Sequence, residues 1–290
     1  MIGYLFAIIS SIFFSLYVIP RKISKLSPTA FSFFMSIGFS LSSVLFYVLQ
    51  SGQTHENFSP ILIWSVVAGI IWATSFVLFI RAIDAVGLSR SNQWKNLQGP
   101  IAVFLGILIL GEFAVVDPVL AIVAAAAIFI SAIFLTVPDA KRRVDMNSIY
   151  LAILAAVGFG TVAVIQKYVT SYSLIYSQQL VWSLSITASL FIYTILSRRL
   201  GEVKKSSKRE VSFGLLAGVL YTGASIFQIL SYTYLPVSIG FTIIQMNTLW
   251  TLAIGVIVFK EIDTKKYFRR VILGILFTLI GITFLALAIK

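Results

Sequence analysis

The residues best suited to chemistry in this chain cluster between Ser91 and Pro100. Asn92, Lys95, Asn96 and Gly99 stand at i, i+3, i+4 and i+7, which puts them on one stripe of a helix. Gln98 adds another amide, and Gly99-Pro100 removes a backbone hydrogen bond, which predicts a kink close to the amides. Each amide offers donors and an acceptor. Such a set suits a hydroxyl-rich ligand better than an apolar one, and it contains no nucleophile–base pair. A catalytic site is therefore not expected.

A second set follows 149 positions later: Gln245 matches Asn96 and Asn247 matches Gln98. Ile244 stands where Lys95 would be repeated, so the ammonium breaks the correspondence. Trp72 and Tyr221 coincide under the same shift, and Trp250 is close to the second amide pair. Aromatic rings beside a few amides are the usual wall of a polar small-molecule pocket. The candidate substrate-binding residues are thus Asn92, Lys95, Asn96, Gln98, Gln245, Asn247, Trp72, Tyr221 and Trp250. Other readings stay open. Amides can simply join neighbouring helices, at about 1 kcal/mol per contact, and rings at mid-membrane can simply pack. Lys95 lies ~10 Å from its helix start at ~1.5 Å per residue, within snorkelling reach of the interface. Gln178, Gln179 and Trp182 add polar groups without a diagnostic spacing, while Lys167 with Gln166 corresponds to Lys22 near a span end.

These groups must be positioned by membrane helices. The 290 residues are 59% apolar and 11% charged, with a mean hydropathy of +0.99. A helix crossing a ~30 Å hydrocarbon core takes ~20 residues, so about ten crossings fit and a sizeable soluble domain does not. Apolar runs mark spans at 2–20, 30–50, 61–81, 88–110, 118–137, 148–169, 174–196, 212–232, 237–259 and 268–289. They are continuous rather than alternating, which favours helices over a barrel. The first lacks a basic leader and a small-residue cleavage site, and reads as an uncleaved helix. With no Cys and a single His, His55, metal and redox centres lack ligands, and no cofactor is expected.

Of the 22 Lys and Arg, all but Lys95, Lys167 and Lys290 fall on one side of this ten-span arrangement. The positive-inside rule then places the odd-numbered connections in the cytoplasm and both termini outside, in a multi-pass protein of the cell membrane. The basic stretch from Arg198 to Arg209 reads as a loop near anionic headgroups, and nucleic acid is not an expected partner.

The 149-residue shift also superimposes Gly69 on Gly218, Gly106 on Gly255 and Glu112 on Glu261, and Phe14–Lys22 resembles Phe159–Lys167. The expected fold is an all-α membrane protein of ten transmembrane helices built as two inverted five-helix repeats, residues 1–140 and 141–290. An odd number of spans per copy forces the inversion, and rocking of two such halves about a shared site gives alternating access.

The paired five-span halves, each closing on an apolar run capped by Gly111-Glu112 or Lys260-Glu261, resemble the drug/metabolite transporter superfamily with its EamA-type repeats. The stretch from Ser91 to Pro100 is similar to the fourth-span segment of the glucose/ribose porter branch, related to rhamnose transporters. The resemblance implies a carrier of small metabolites, sugars foremost. The residues themselves leave a second option, an exporter of amino acids or other charged metabolites that would set Lys95 against a carboxylate. All ten carboxylates fall in loops or at span ends, which argues against the buried acid that proton-coupled drug antiport uses. The expected partners are a small-molecule substrate and the bilayer, with monomer and homodimer both open.

Overall fold

The computed structural model describes residues 1–51, 59–86, 91, 94–135, 146–258 and 264–290. Asn92 and Glu261 lie outside them. Among the described residues the regular structure is helical, and eight helices are long and apolar enough to cross a membrane.

The first span is α1 (Ile2–Leu16) followed by α2 (Val18–Ile23). Pro20 has no N–H for the Leu16 carbonyl four residues back, which accounts for the joint at Tyr17. Then come α3 (Pro28–Ser51), α4 (Ile63–Val86), α5 (Gln98–Ile109), α6 (Pro118–Leu135), α7 (Met146–Thr170) and α8 (Ile175–Leu196). A short α9 (Leu200–Lys204) leads to α10 (Lys208–Tyr234), α11 (Val237–Ile244), α12 (Asn247–Ile257) and α13 (Thr264–Ala288).

The predicted spans 88–110 and 237–259 are interrupted rather than continuous. The first turns at Asn96-Leu97 before α5, and the second at Gln245-Met246 between α11 and α12. Pro100 explains part of the first break. Bonding shifts locally from i−4 to i−3, the tighter pattern that often marks a hinge inside a helix. Leu97 N bonds Trp94 O at 3.1 Å and Met246 N bonds Ile243 O at 3.0 Å. Gly99 N bonds Asn96 O at 3.2 Å and Thr248 N bonds Gln245 O at 3.4 Å. Both pairs are related by the same 149 residues that relate the amides.

The helix neighbours also come in matching sets. α4 packs along α7 and α1 along α10; α3 crosses α10 and α4 crosses α8; α5 meets α11, and α6 pairs with α13. Small residues permit the close crossings. A Cβ on Gly69 would strike Ser185 of α8, with Cβ and Oγ each at 2.5 Å. A Cβ on Gly218 would overlap the Met35 carbonyl oxygen and the Phe39 nitrogen of α3. The two glycines related by the 149-residue shift thus each admit a close helix crossing.

Loop contacts close both ends of the bundle. At one end, Glu210 accepts from Ser24 Oγ at 2.8 Å and from Lys25 N at 2.6 Å, and Glu202 accepts from Ser27 Oγ at 2.5 Å. Arg21, Arg81 and Arg199 gather there. At the other end the segment around Glu112 meets the turn after α10, and Lys290 Nζ donates to Phe113 O at 2.9 Å.

Candidate functional site

The two interruptions bring the predicted amides face to face. Gln98 Nε2 donates to Gln245 Oε1 at 3.1 Å, a bond across 147 residues between buried side chains. Gly99 is what admits Gln245: a Cβ there would stand 3.2 Å from Gln245 Cγ and 3.3 Å from its Nε2. Asn96 Nδ2 and Gln245 Nε2 are buried without a hydrogen-bond partner among the described residues. An unpaired buried donor costs ~1–3 kcal/mol, and these two border a gap of about 10 Å³ lined also by Gly99, Pro100, Thr242 and α6 residues such as Phe129. The amides therefore form a seam in this conformation, too tight for a sugar, with donor capacity left over.

Lys95 is half-buried, and its Nζ sits 5.2 Å from the centre of the Phe79 ring of α4, a cation–π contact. It points to an aromatic face rather than joining the amide pair. Asn247 is half-buried; its carbonyl oxygen accepts from Ser15 Oγ at 2.8 Å, tying α12 to α1. Trp250 Nε1 donates to Ser11 Oγ at 2.9 Å on the same helix.

Trp72 and Tyr221 meet directly, with ring centres 5.5 Å apart. Around Tyr221 stand Phe39 at 5.0 Å, Tyr17 at 5.2 Å, Phe14 at 5.4 Å and Trp182 at 6.2 Å. Trp182 is fully buried and its Nε1 has no partner in the fold. The rings belong to one apolar cluster, built largely on α3, α4, α8 and α10, while the helices that carry Gln98 and Gln245, α5 and the end of α11, contribute to a second with α6. Phe14 packs against both, while Trp72 touches Phe159 of α7, one residue from the Gly160 that abuts Gln98 O. The structure therefore brings together Gln98 with Gln245, and Trp72 with Tyr221, as two adjacent sets.

A third set joins Gln166, Gln178 and Gln179, whose spacing alone was not diagnostic, to Gln228, which sequence reasoning passed over. Gln228 Nε2 donates to Gln166 Oε1 at 3.0 Å and lies 2.9 Å from the Tyr232 hydroxyl; Gln178 Nε2 donates to Gln166 O at 2.9 Å. Gln179 Nε2 reaches Ser225 Oγ at 2.7 Å and Ser43 Oγ at 3.1 Å. A glutamine inside an otherwise apolar run was the available signal, and Gln228 carried it.

Beside this network Glu112, 6% exposed, accepts from Val237 N at 2.5 Å and Ser238 N at 3.0 Å. It caps the positive end of α11 from a different helix pair. Lys167 Nζ donates to Tyr232 O in the last turn of α10, where a cation complements the helix dipole. Anion and cation thus hold the two sides of the α10–α11 turn.

This arrangement, broken helices in register and amides meeting at the breaks, is one that membrane carriers use. Residues 47–288 match the family described as "Sugar transport protein", and the chain belongs to that family. It is 20% identical over 265 residues to the "Probable glucose uptake protein GlcU" of Priestia megaterium, covering 87% of this chain and 89% of that one. It is 24% identical over 253 residues to a "Putative sugar uptake protein" of Listeria innocua, covering 84% of each, and 22% identical over 243 residues to one of Listeria monocytogenes, covering 80% and 81%. A solved crystal structure superimposes with a TM-score of 0.75 over 98% of this chain and 96% of the other at 12% identity, a likeness of fold.

Proposed function

We propose that this member of the sugar transport family carries a monosaccharide across the cell membrane by alternating access between two inverted five-helix halves, residues 1–140 and 141–290, which make ten spans with the two broken helices. The related proteins carry names of sugar and glucose uptake, which supports the substrate class. The observation that bears most weight is the matched pair of interruptions at Asn96-Leu97 and Gln245-Met246, with Gln98 bonded to Gln245 between them.

In this reading the conformer described is closed at both ends. Rocking about the two breaks separates Gln98 from Gln245 and frees donors and acceptors of Asn96, Gln98, Gln245 and Asn247 for sugar hydroxyls. Lys95 adds an ammonium from one side, and Trp72 and Tyr221 offer ring faces to the apolar side of the sugar. Asn92 joins the same stripe by its position in the sequence. The basic end, with Arg21, Arg81 and Arg199, faces the cytoplasm, and both termini face outside.

Radiolabelled glucose uptake into proteoliposomes tests this, with Gln98→Leu, Gln245→Leu and the double variant compared. Each single variant is expected to lower uptake about tenfold or more, since a group left unpaired in a ligand site costs ~1–3 kcal/mol. Sugar uptake unchanged in both single variants, or uptake of amino acids in place of sugars by the wild type, refutes the proposal.

A further inference from the structure

At the basic end of the bundle a cavity of about 160 Å³ opens between the start of α3 and the ends of α4 and α8. That is well above the ~30 Å³ one water takes up in the liquid. α3 and α4 both pack on α8, and the cavity lies between them. Its polar wall is Thr29, Ser32, Arg81, Tyr193, Thr194, Ser197 and Arg199. None of the amides or rings discussed above contributes to it.

The hydroxyls of this wall divide into those with a proton to give and those without. Ser32 Oγ spends its proton on Pro28 O at 2.6 Å, and Thr194 Oγ1 spends its own on Leu190 O at 2.7 Å. Arg199 is held by Nη1 on Thr29 Oγ1 at 3.2 Å and by Nε 4.0 Å from Glu202 Oε1, which fixes the plane of its guanidinium beside the cavity. Because Thr29 Oγ1 accepts that bond, its own proton is left to donate. Arg81 and Arg199 can only donate and stay charged. The positive end of the 24-residue α3 opens nearby, and among the described residues no carboxylate lines the cavity. The spent hydroxyls of Ser32 and Thr194 can only accept from the cavity, so its ligand is selected by charge rather than by a lack of acceptors. Two guanidinium groups at one cavity favour an anion whose oxygens accept from both.

We propose that this cavity is a binding site for a phosphate group, held between Arg81 and Arg199 with the Thr29 hydroxyl as a further donor. Guanidinium forks match phosphate oxygens in geometry and charge, and basic pockets between helices at a membrane face take phospholipid headgroups. The chemistry is shared by a lipid phosphodiester and a free phosphate, and the cavity shares no lining residue with the amides and rings proposed for the sugar, so it does not rest on the transport reading.

The test uses the full chain. Melting temperature is measured in nanodiscs of phosphatidylcholine with and without phosphatidylglycerol, and separately in detergent titrated with inorganic phosphate against chloride at equal ionic strength. Wild type and Arg81→Gln are compared, the latter because it leaves the Thr29 and Glu202 contacts of Arg199 intact; Arg199→Gln is a second variant. The expected result is a rise in melting temperature with at least one phosphate source and a midpoint about tenfold weaker in Arg81→Gln, as loss of a charge-assisted contact implies. A rise with phosphatidylglycerol alone identifies a lipid headgroup, whereas a rise with inorganic phosphate as well identifies a site open to free phosphates. No rise with either source, or an equal rise in Arg81→Gln, overturns the proposal.

Discussion

Glu112→Ala is the substitution whose cost the structure defines most closely. The carboxylate is 6% exposed and accepts from Val237 N at 2.5 Å and Ser238 N at 3.0 Å. Pro236, at the head of α11, has no side chain able to cap, and no other acceptor among the described residues bonds these two N–H groups. Alanine would leave both donors buried and unpaired at ~1–2 kcal/mol each, and would remove the charge that complements the helix end at ~0.3–1 kcal/mol. The sum is about 3 kcal/mol. Glu112→Gln keeps one oxygen for one N–H and loses the charge, so it should cost about half as much. Reversible unfolding in mixed micelles, followed by tryptophan fluorescence, measures both. The order wild type, Gln, Ala is the expected one. Stability of Glu112→Ala within ~0.5 kcal/mol of wild type, the range of an ordinary surface change, would refute the capping argument.

Gly218→Leu should abolish the folded monomer on size-exclusion chromatography, because even its Cβ would overlap the backbone of Met35 and Phe39, and overpacking against backbone costs ~1–3 kcal/mol or more. Lys167→Met removes the cation from the last turn of α10 and should lower stability by ~0.5–2 kcal/mol in the same unfolding assay, with no loss of α-helix by circular dichroism. Lys95→Met keeps the stem and removes the charge beside Phe79; uptake in proteoliposomes should fall about tenfold if the ammonium meets substrate, since charged hydrogen bonds contribute ~1.5–3 kcal/mol, and unchanged uptake would take Lys95 out of the site. Simultaneous Gln98→Ala and Gln245→Ala should cost less stability than the two singles summed, by ~0.6–1.7 kcal/mol, as a direct interhelical bond in a membrane protein requires.

Much of this molecule was legible before any coordinates. Burying backbone in hydrocarbon forces each span into a run of apolar residues, so the eight full-length helices and their boundaries followed from composition alone. The first broken segment was foreshadowed by Gly99-Pro100, because a proline in a span is a local signal. The break at Gln245-Met246 had no proline to announce it, and the run 237–259 read as one continuous span. The amides recurring after 149 residues paired the two places without predicting a turn at the second.

What the linear order left open was which groups would touch. Gln98 and Gln245 are 147 residues apart, Glu112 and Val237 are 125 apart, and Arg199 reaches Thr29 across 170. Amides expected to border an open chamber close on one another instead, because two tight turns at the same depth put them edge to edge with Gly99 leaving room. Hydropathy and charge act on each segment through its solvent, so they can be read one span at a time. Pairing between spans depends on small residues admitting close crossings and on which unpaired polar atoms then find each other, and only the assembled bundle decides that.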